Sequence, residues 1–428
     1  MMKQFILFFG IILLTSCSQD KSKEQITNPD DYNKYLYTTN KATYDEANNE
    51  VVFWSKRLRP DSSGVGDLGP LAAAYTKLFE ATGDPSFLAD AETLYKKAMA
   101  ISANNKDIYA RGLARNYISQ HRFKEAEEIL QESYQGISSK RATEFMLFDV
   151  HMELGNYEEA ESFLKKVQNT SDYNYLIRKA KWSDHIGDLT NAINYLESAR
   201  DIAESRNSRS LKIWTYSNLG DFYGHDGRLK EAYHHYLKTL ELQPDNAYVK
   251  KGIAWITYSY EQDSEEADRI LDSVMVNHTA PDYYLFLADI AEIEGNEELK
   301  DKNIDRFIEL ASTKSYGSMY NTSLIEILAE SKPEEAVKLA EMEVDNRATP
   351  ETYALLAYAL GRKGEKAKAY EMIDIHVNNR TSEPRALYFV SWIYKANGMT
   401  KKLKELKNEL EHAAFELGPV LVSKIAEL

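Results

Sequence analysis

The chain has 428 residues, with 52 lysines and arginines against 67 aspartates and glutamates, and its formal net charge is −15. This acidity disfavours nucleic-acid binding, which depends on cationic side chains that contact phosphates. Hydrophobic residues make up 43% and charged residues 28% of the chain, a balance typical of globular proteins. The small numbers of glycines (19) and prolines (10) disfavour an all-β fold, which needs many turns, and favour long helices with short connections.

The first sixteen residues have the layout of a secretory signal peptide. Lys3 supplies a positive charge, and an unbroken apolar run follows from Phe5 to Leu14. This run is too short to cross a bilayer as a helix, which takes about 20 residues. No later apolar run approaches about 18 residues, so we expect no membrane-spanning helix in the processed protein.

Cys17 is the only cysteine of the chain, so neither an internal disulfide nor a CxxC zinc site can form. The four residues Leu14-Thr15-Ser16-Cys17 resemble a bacterial lipobox. The resemblance implies that the signal peptide 1–16 is removed and that a covalent lipid with fatty acyl chains, such as palmitate, is attached to Cys17. Several acyl chains anchor a protein stably in a membrane. The alternative is an ordinary signal peptide with an incidental cysteine.

Two segments then precede the main body of the chain. Residues 17–40 are predicted to be a lipidated flexible tether, because residues 18–30 are polar and lack apolar periodicity. Residues 41–64 are predicted to form an N-terminal capping helix and a loop, with Ala47 and Trp54 turned inward.

Residues 219–244, LGDFYGHDGRLKEAYHHYLKTLELQP, closely resemble a tetratricopeptide repeat (TPR). Gly220 and Ala232 are small at the positions where two antiparallel helices cross closely, and Tyr223 and Tyr236 fill the space around that crossing. Pro244 cannot continue a helix and therefore ends the second one. One such hairpin cannot bury its apolar face alone, so the repeats must stack.

The small residue of the second helix recurs along the chain. Equivalent positions are Ala91, Ala126, Ala160, Ala192, Ala232, Ala267, Lys300, Ala336, Ala369 and Leu403. Their spacing of 32 to 40 residues is close to the TPR period of about 34. The resemblance implies an all-α fold, a right-handed α-solenoid of about ten TPR-like hairpins over residues 65–410. Lys300 and Leu403 are larger, so we expect a wider or shifted helix crossing in those two repeats.

Residues 411–428 are predicted to form a C-terminal capping helix, because they carry an amphipathic apolar pattern and solenoids need caps over their last core face. The chain contains none of the HExxH, P-loop, GxSxG or GxGxxG motifs, so no catalytic residue is assigned and we expect no enzyme activity. His185 and His225 occupy equivalent positions in successive repeats, but solvated or wall histidines are the simpler interpretation, so no metal site is predicted. The covalent lipid on Cys17 is the only prosthetic group expected.

The working surface of a TPR array is usually its concave face, lined by the first helix of each repeat. The repeat phase predicts that partner-binding residues lie there, with mixed charge in the early repeats and large aromatic rings in the later ones. They are Arg111, Arg115, Asp149, Lys181, Asp221, Trp255, Tyr258, Asp289, Tyr358, Arg362 and Trp392. Mixed polar grooves rich in Trp, Tyr and Arg are typical of protein or peptide binding.

These features together favour a membrane-anchored scaffold that binds a protein or peptide partner in the cell envelope, with no nucleic acid and no membrane contact beyond the lipid anchor. Ser18 after the cysteine matches, by resemblance to a bacterial sorting rule, an outer-membrane destination. The segment SQDKSKE resembles surface-export signals of Bacteroidota, so the periplasmic and cell-surface faces both stay open. The alternative is a SusD-like nutrient- or glycan-binding lipoprotein, although the near-constant repeat spacing leaves no room for a large binding lobe. An enzyme with an unrecognised site is a third hypothesis.

Overall fold

The computed structural model describes residues 24–37, 39–58, 64–136 and 140–428. Cys17 and the predicted signal peptide 1–16 lie outside the described residues. Within the described ranges, no helix combines the length and the apolar character needed to span a bilayer.

The described chain is helical almost throughout. In chain order the helices are α1 (Pro29–Tyr32), α2 (Ala42–Arg57), α3 (Val65–Thr82), α4 (Ser86–Ile101), α5 (Lys106–Ser119), α6 (Phe123–Gln135), α7 (Lys140–Leu154), α8 (Tyr157–Lys166), α9 (Tyr173–His185), α10 (Leu189–Ser205), α11 (Arg209–His225), α12 (Leu229–Leu242), α13 (Ala247–Trp255), α14 (Ser264–Met275), α15 (Asp282–Ile293), α16 (Glu297–Ala311), α17 (Asn321–Ser331), α18 (Pro333–Asn346), α19 (Pro350–Arg362), α20 (Lys366–His376), α21 (Pro384–Ala396), α22 (Thr400–Leu410) and α23 (Ala414–Glu427). Short 3₁₀ turns occupy Asn33–Tyr35 and Glu411–Ala413, and a π-helical segment, Ile256–Glu261, continues α13.

Ten antiparallel hairpins follow one another from α3/α4 to α21/α22. Successive hairpins pack against each other, and the contact of α16 with α17 is a small core of Phe307, Ala311 and Leu324. The predicted all-α solenoid of about ten TPR-like hairpins is thereby confirmed. The recurring alanines explain the spacing, since the eight from Ala91 to Ala369 are all fully buried at the helix crossings. The closest approach is at Gly220, where an added Cβ would lie 2.3 Å from a ring carbon of Tyr236.

In the repeat that contains Lys300, the two helices pack differently where they cross. Lys300 stays half-buried and pairs with Glu297, while α16 instead buries Asn303, Phe307 and Ala311. Phe307 and Ala311 form a small separate core with Leu324. The shifted packing that the larger side chain predicts is therefore present in this repeat.

The solenoid coils so tightly that successive superhelical turns touch. The Thr279 amide donates 2.8 Å to the carbonyl of Thr82, and the Asn346 side chain donates 3.1 Å to the carbonyl of His121. Gly155 lies so close to the next turn that a Cβ would approach the Ala348 carbonyl oxygen to 2.7 Å. These contacts narrow the concave face, which becomes the wall of a deep, partly open lumen.

The described part of the predicted tether is not free. Residues 24–36, which we call the N-terminal arm, pack against α12, α14 and the π-helical segment, with Tyr32, Tyr35 and Leu36 buried. Glu261 accepts 2.6 Å hydrogen bonds from the amides of both Ile26 and Thr27. This differs from the flexible tether predicted for residues 17–40, because three apolar side chains in a short polar segment carry no periodic signal.

The two predicted capping helices have different surroundings. Helix α2 packs against α3 and buries Ala47, while Trp54 is only half-buried. Helix α23 does more than cover the last repeat. Its C-terminal end meets α21 and α22, where Lys395 and Lys407 donate to the carbonyls of Glu427 and Ala426. Its N-terminal end crosses the lumen to α11, the π-helical segment and α15.

Candidate functional site: the lumen of the solenoid

The first helices of the later repeats, α11, α13, α15, α17, α19 and α21, surround a cavity of about 2160 Å³, which we call the lumen. Helix α23 lies along one side of it. Acidic side chains outnumber basic ones in the wall, and aromatic rings stand between them. A smaller cavity of about 770 Å³ opens near the ends of α9, α19 and α21.

Three of the predicted charges in the early repeats are held in ion pairs along the inner face. Arg111 pairs with Asp107 at 2.8 Å, Asp149 with Arg178 at 2.6 Å, and Lys181 with Glu153 at 2.7 Å. Arg115 is exposed. A partner that uses the paired residues has to compete with their partners in the chain, whereas Arg115 is accessible.

Asp221 lies in the lumen wall and accepts hydrogen bonds from two tyrosine hydroxyls, at 2.8 Å from Tyr236 and 2.6 Å from Tyr248. Burial raises the pKa of the Asp221 carboxyl, although both hydrogen bonds counteract this. Its first role is therefore to accept hydrogen bonds from the buried Tyr236 and the exposed Tyr248, and its use by a partner is limited.

Two of the predicted partner-binding residues are not available. Tyr258 is 1% exposed and Tyr358 is 2% exposed, because both rings point into the packing between repeats. Tyr258 packs on Phe286, and the Tyr358 hydroxyl donates to Glu330. Their burial leaves little surface for a contact with a partner, although Tyr358 borders the lumen. The repeat phase places both on the expected helices but does not resolve their burial.

The two predicted tryptophans are half-buried at the lumen wall. The Trp392 ring packs so closely on α19 that a Cβ at Gly361 would lie 2.7 Å from it, and the guanidinium of Arg362 lies 5.4 Å from its centroid. Arg362 also pairs with Glu330. Trp392 and Arg362 thus form one aromatic and cationic surface in the later repeats.

Trp255 is covered by the chain itself. Its indole Nε1 donates 2.9 Å to the main-chain carbonyl of Phe415, and Ser259 donates 2.7 Å to the same oxygen. Sequence reasoning missed Ser259, although it lies four residues after Trp255 and therefore on the same helix face. It also missed Phe415, because nothing in the sequence indicates that the last helix returns to the middle of the chain.

Asp289 faces the lumen between like and opposite charges. Burial raises its pKa to about 6, and the carboxylates of Glu326 and Glu292 act in the same direction, while Arg385 and Lys424 counteract it. Arg385 is itself held by Glu326 in a bidentate pair at 2.8 and 3.0 Å. Asp289 is thus a carboxyl in the lumen wall that can gain a proton near neutral pH.

Four carboxyl groups, which we call the carboxylate cluster, meet near the smaller cavity: Asp184, Glu351, Glu383 and Glu416. Burial raises the pKa of Glu383 to about 7, with the neighbouring Glu416 and Glu351 acting in the same direction. Burial also raises the pKa of Asp184 and of Glu416. The last helix therefore brings an acidic side chain into a region that is already acidic.

His185 and His225 lie near this cluster. The His185 ring packs on Tyr157 with centroids 3.9 Å apart, and the His225 ring lies 6.2 Å from that of Phe222. Within the part of the chain that the structure describes, no three His, Cys, Asp or Glu side chains are arranged to hold a metal ion.

The stacked hairpins define an all-α solenoid of helical hairpins that resemble tetratricopeptide repeats. Two family models, both described as tetratricopeptide repeat, match residues 88–133 and 215–246. The chain is also 26% identical over 98 residues to the tetratricopeptide repeat-containing protein trd-1 of Caenorhabditis elegans. That alignment covers 23% of this chain and spans only 11% of the relative's length. The chain therefore contains tetratricopeptide repeats, which support a protein–protein interaction scaffold, a fold that is typically non-catalytic.

Solved structures with a similar arrangement include a human IFIT1 dimer with PPP-AAAA, at 14% identity and a TM-score of 0.47, with 72% of this chain and 71% of that one covered. The type IV pilus biogenesis factor PilW is 13% identical at a TM-score of 0.39, with 51% and 99% covered. Pseudomonas aeruginosa PilF is 14% identical at a TM-score of 0.37, with 50% and 96% covered. At such identities and scores these structures bear on neither partner nor activity. None of these similarities supports the SusD-like alternative.

Proposed function

We propose that this protein is a membrane-anchored scaffold that binds a protein partner through the lumen of its solenoid, in the cell envelope. The observation that carries the proposal is the lumen itself, a cavity of about 2160 Å³ bounded by tetratricopeptide hairpins. Its wall combines accessible aromatic surface at Trp392 with the charged side chains of Arg362 and Asp289. Such combinations dominate the binding energy of protein interfaces.

The anchor is the second part of the proposal, and it rests on the lipobox resemblance at Cys17. The docked N-terminal arm adds a geometric consequence. Glu24 pairs with Lys230 of α12, and seven residue steps separate Cys17 from Glu24. A chain spans at most about 3.6 Å per residue, so the lipid would hold the outer side of α12 within about 25 Å of the membrane.

The partner is tested by crosslinking and affinity capture from intact cells of the source organism. A Trp392→Ala/Asp289→Asn variant alters the lumen wall, and Met342→Ala, on the 66% exposed Met342 of α18, is the matched control. We expect the lumen variant to lose a crosslinked protein that wild type and the control retain. Identical captures from all three proteins would overturn the proposal.

The anchor is tested separately by Cys17→Ala. We expect the variant to leave the membrane fraction or to remain unprocessed. Normal processing together with normal membrane retention would contradict lipidation.

A further inference from the structure

Helix α23 occupies the lumen in the manner of a bound peptide. Its first turn inserts the Phe415 ring against α11, where a Cβ at Gly224 would lie 3.0 Å from that ring. Gly418 then packs on the Trp255 ring, with a hypothetical Cβ 2.7 Å away. The buried face continues through Leu417, Leu421 and Ile425. The segment is amphipathic, because the polar side chains of Ser423 and Lys424 are exposed.

The lumen wall recognises this segment largely through its main chain. Trp255 and Ser259 both donate to the carbonyl of residue 415, at 2.9 and 2.7 Å. Any peptide can offer a main-chain carbonyl, so these two donors do not select for the sequence of α23. They require that a helix begins at this position and that one of its side chains fits beside Gly224.

The charge of α23 does not complement the charge of the surface that it contacts. Glu416 follows the anchoring phenylalanine and lines the smaller cavity together with Asp184, Glu383 and His225. Like charges in an enclosed site oppose binding. A cationic side chain at this position would face two carboxylates and bind more tightly.

Two backbone features give α23 a point at which it can move relative to the last repeat. A 3₁₀ turn, Glu411–Ala413, joins α22 to α23, and Leu410 before it is buried in the last repeat. Gly418 interrupts α23 with φ 74° and ψ 167°, so Ala414–Leu417 form a separate short turn. Departure of the whole helix also uncovers Leu417, Leu421 and Ile425, which pack in the core of the last repeats, so an incoming helix has to replace these contacts.

We propose that α23 is a displaceable internal ligand of the lumen, and that the partner replaces it with an amphipathic helix that carries an aromatic residue at the place of Phe415 and a cationic residue at the place of Glu416. This inference rests on the proposed function, because it names the kind of protein segment that the lumen binds. In the free protein α23 closes the site, and partner binding opens it.

The test uses the purified full-length protein and two fluorescein-labelled synthetic peptides. One peptide has the sequence of residues 411–428, and the other differs from it only by Glu416→Lys. Each is titrated by fluorescence anisotropy into wild type, into a Phe415→Ala variant whose internal ligand is weakened, and into Val422→Ala as the matched control. Hydrogen exchange of residues 414–427 reports whether α23 dissociates from the lumen wall.

We expect the lysine peptide to bind Phe415→Ala at least tenfold more tightly than wild type or Val422→Ala, and at least tenfold more tightly than the unmodified peptide. Adding it to wild type should raise hydrogen exchange in α23. Equal binding of both peptides would overturn the cationic preference. Binding that is the same for all three proteins, or that leaves exchange in α23 unchanged, would overturn the displacement.

A second variant covers the case that Phe415→Ala does not fold. Glu416→Lys in the full chain should strengthen the internal contact, so that it lowers hydrogen exchange in α23 and weakens binding of the lysine peptide at least fivefold relative to wild type. The opposite result would overturn the proposal. Because Trp392 and Asp289 are not altered in these experiments, their failure would leave the capture experiment on the lumen variant as an independent test of the proposed function.

Discussion

The indole nitrogen of Trp255 donates a 2.9 Å hydrogen bond to the main-chain carbonyl of Phe415, a residue 160 positions later in the chain. The hydroxyl of Ser259 donates to the same oxygen at 2.7 Å. One carbonyl at the start of α23 thus receives two side-chain donors from the middle of the solenoid. This double contact fixes the last helix in the lumen, and it makes the two donors energetically dependent on each other.

Removing both donors should cost more than the sum of the single changes. A net hydrogen bond contributes about 0.5–1.5 kcal/mol, whereas leaving a buried carbonyl without any donor costs about 1–3 kcal/mol. We expect Ser259→Ala to destabilise the protein by about 1 kcal/mol and Trp255→Phe by somewhat more, because it also removes ring contacts. The Trp255→Phe/Ser259→Ala pair should then show positive coupling in the free energy of urea unfolding.

The matched controls are Ser198→Ala and Trp214→Phe. Ser198 is exposed and bonds only within its own helix, and Trp214 is 40% exposed. Both should change stability by less than about 0.5 kcal/mol. Strict additivity of the two lumen substitutions would contradict the shared acceptor.

Gly418 should be intolerant of any side chain. Its φ of 74° is in the left-handed region that favours glycine, and a Cβ would also collide with the Trp255 ring at 2.7 Å. Gly398 has a similar φ of 68° but open space around it. We expect Gly398→Ala to cost about 1–2 kcal/mol from backbone strain alone. Gly418→Ala should cost about 1–3 kcal/mol more from the collision, and hydrogen exchange should show α23 released.

The difference between the two glycine variants combines the collision with the Trp255 ring and the ψ of 167° at Gly418, since this backbone conformation is essentially confined to glycine. Equal losses of unfolding free energy, with α23 still protected from exchange, would show that the Trp255 ring moves aside at no cost.

The sequence predicts those structural features that depend on residues close to one another in the chain. Gly220, Ala232 and Tyr236 lie within 16 residues of one another, so their pattern directly reports the packing of one hairpin. The contacts that shape the lumen join residues much farther apart, such as Lys124 and Asp345, which are 221 positions apart. They depend on how small rotations add up over many repeats, and no single repeat carries that information.

The same distinction between local and long-range contacts applies to the candidate site. The repeat phase correctly places Trp255, Asp289 and Trp392 at the lumen wall. It does not predict that Tyr258 and Tyr358 are almost fully buried, Tyr258 within the π-helical segment and Tyr358 against Phe389. The repeat phase also does not predict where the N-terminal arm and α23 lie, because both segments contact repeats that are distant in the chain.

The hairpin crossing at Gly220 should be sensitive to a single methyl group. A Cβ there would lie 2.3 Å from the Tyr236 ring, and Tyr236 is held in place by its hydrogen bond to Asp221. We expect Gly220→Ala to lower the free energy of unfolding by about 1–3 kcal/mol through overpacking. Gly66→Ala is the control, because Gly66 is in α3 with no heavy atom near its hypothetical Cβ. That change should be neutral or stabilising by up to about 1 kcal/mol.

Glu261 should hold the N-terminal arm on the solenoid. Its carboxylate accepts from the amides of Ile26 and Thr27 and from the Thr27 hydroxyl, all at 2.6–2.7 Å. We expect Glu261→Ala to release residues 24–36, seen as faster hydrogen exchange and limited proteolysis there. Glu265→Ala, at an exposed acidic residue of α14, should leave the arm protected. An arm that stays protected without Glu261 would mean that Tyr32, Tyr35 and Leu36 suffice to dock it.

The carboxylate cluster should make stability decrease as the pH rises. The pKa of Glu383 rises from 4.5 to about 7, first through burial and then through Glu416 and Glu351. The folded protein therefore binds this proton more tightly than the unfolded chain. The stabilisation is complete below about pH 4.5 and is lost as the pH rises through about 7.

The charged and titratable groups around Glu383 lie on several neighbouring helices. They are Asp184 and His185 on α9, His225 on α11, Glu351 on α19, Arg385 on α21, Glu409 and His412 near the end of α22, and Glu416 on α23. Besides burial, Glu416, Glu351 and Asp184 raise the pKa of Glu383, and His225 counteracts them.

Glu383→Gln removes the titrating group but keeps its size. In urea unfolding from pH 4.5 to 8, we expect wild type and variant to be equally stable at the acidic end, the variant to become increasingly more stable than wild type between about pH 4.5 and 7, and the difference to stay constant above that. Some dependence should remain, because burial also raises the pKa of Asp289 to about 6. Glu335→Gln, at an exposed position of α18, should follow the wild-type profile. A variant that loses stability with pH as steeply as wild type would show that the proton is bound elsewhere in the cluster.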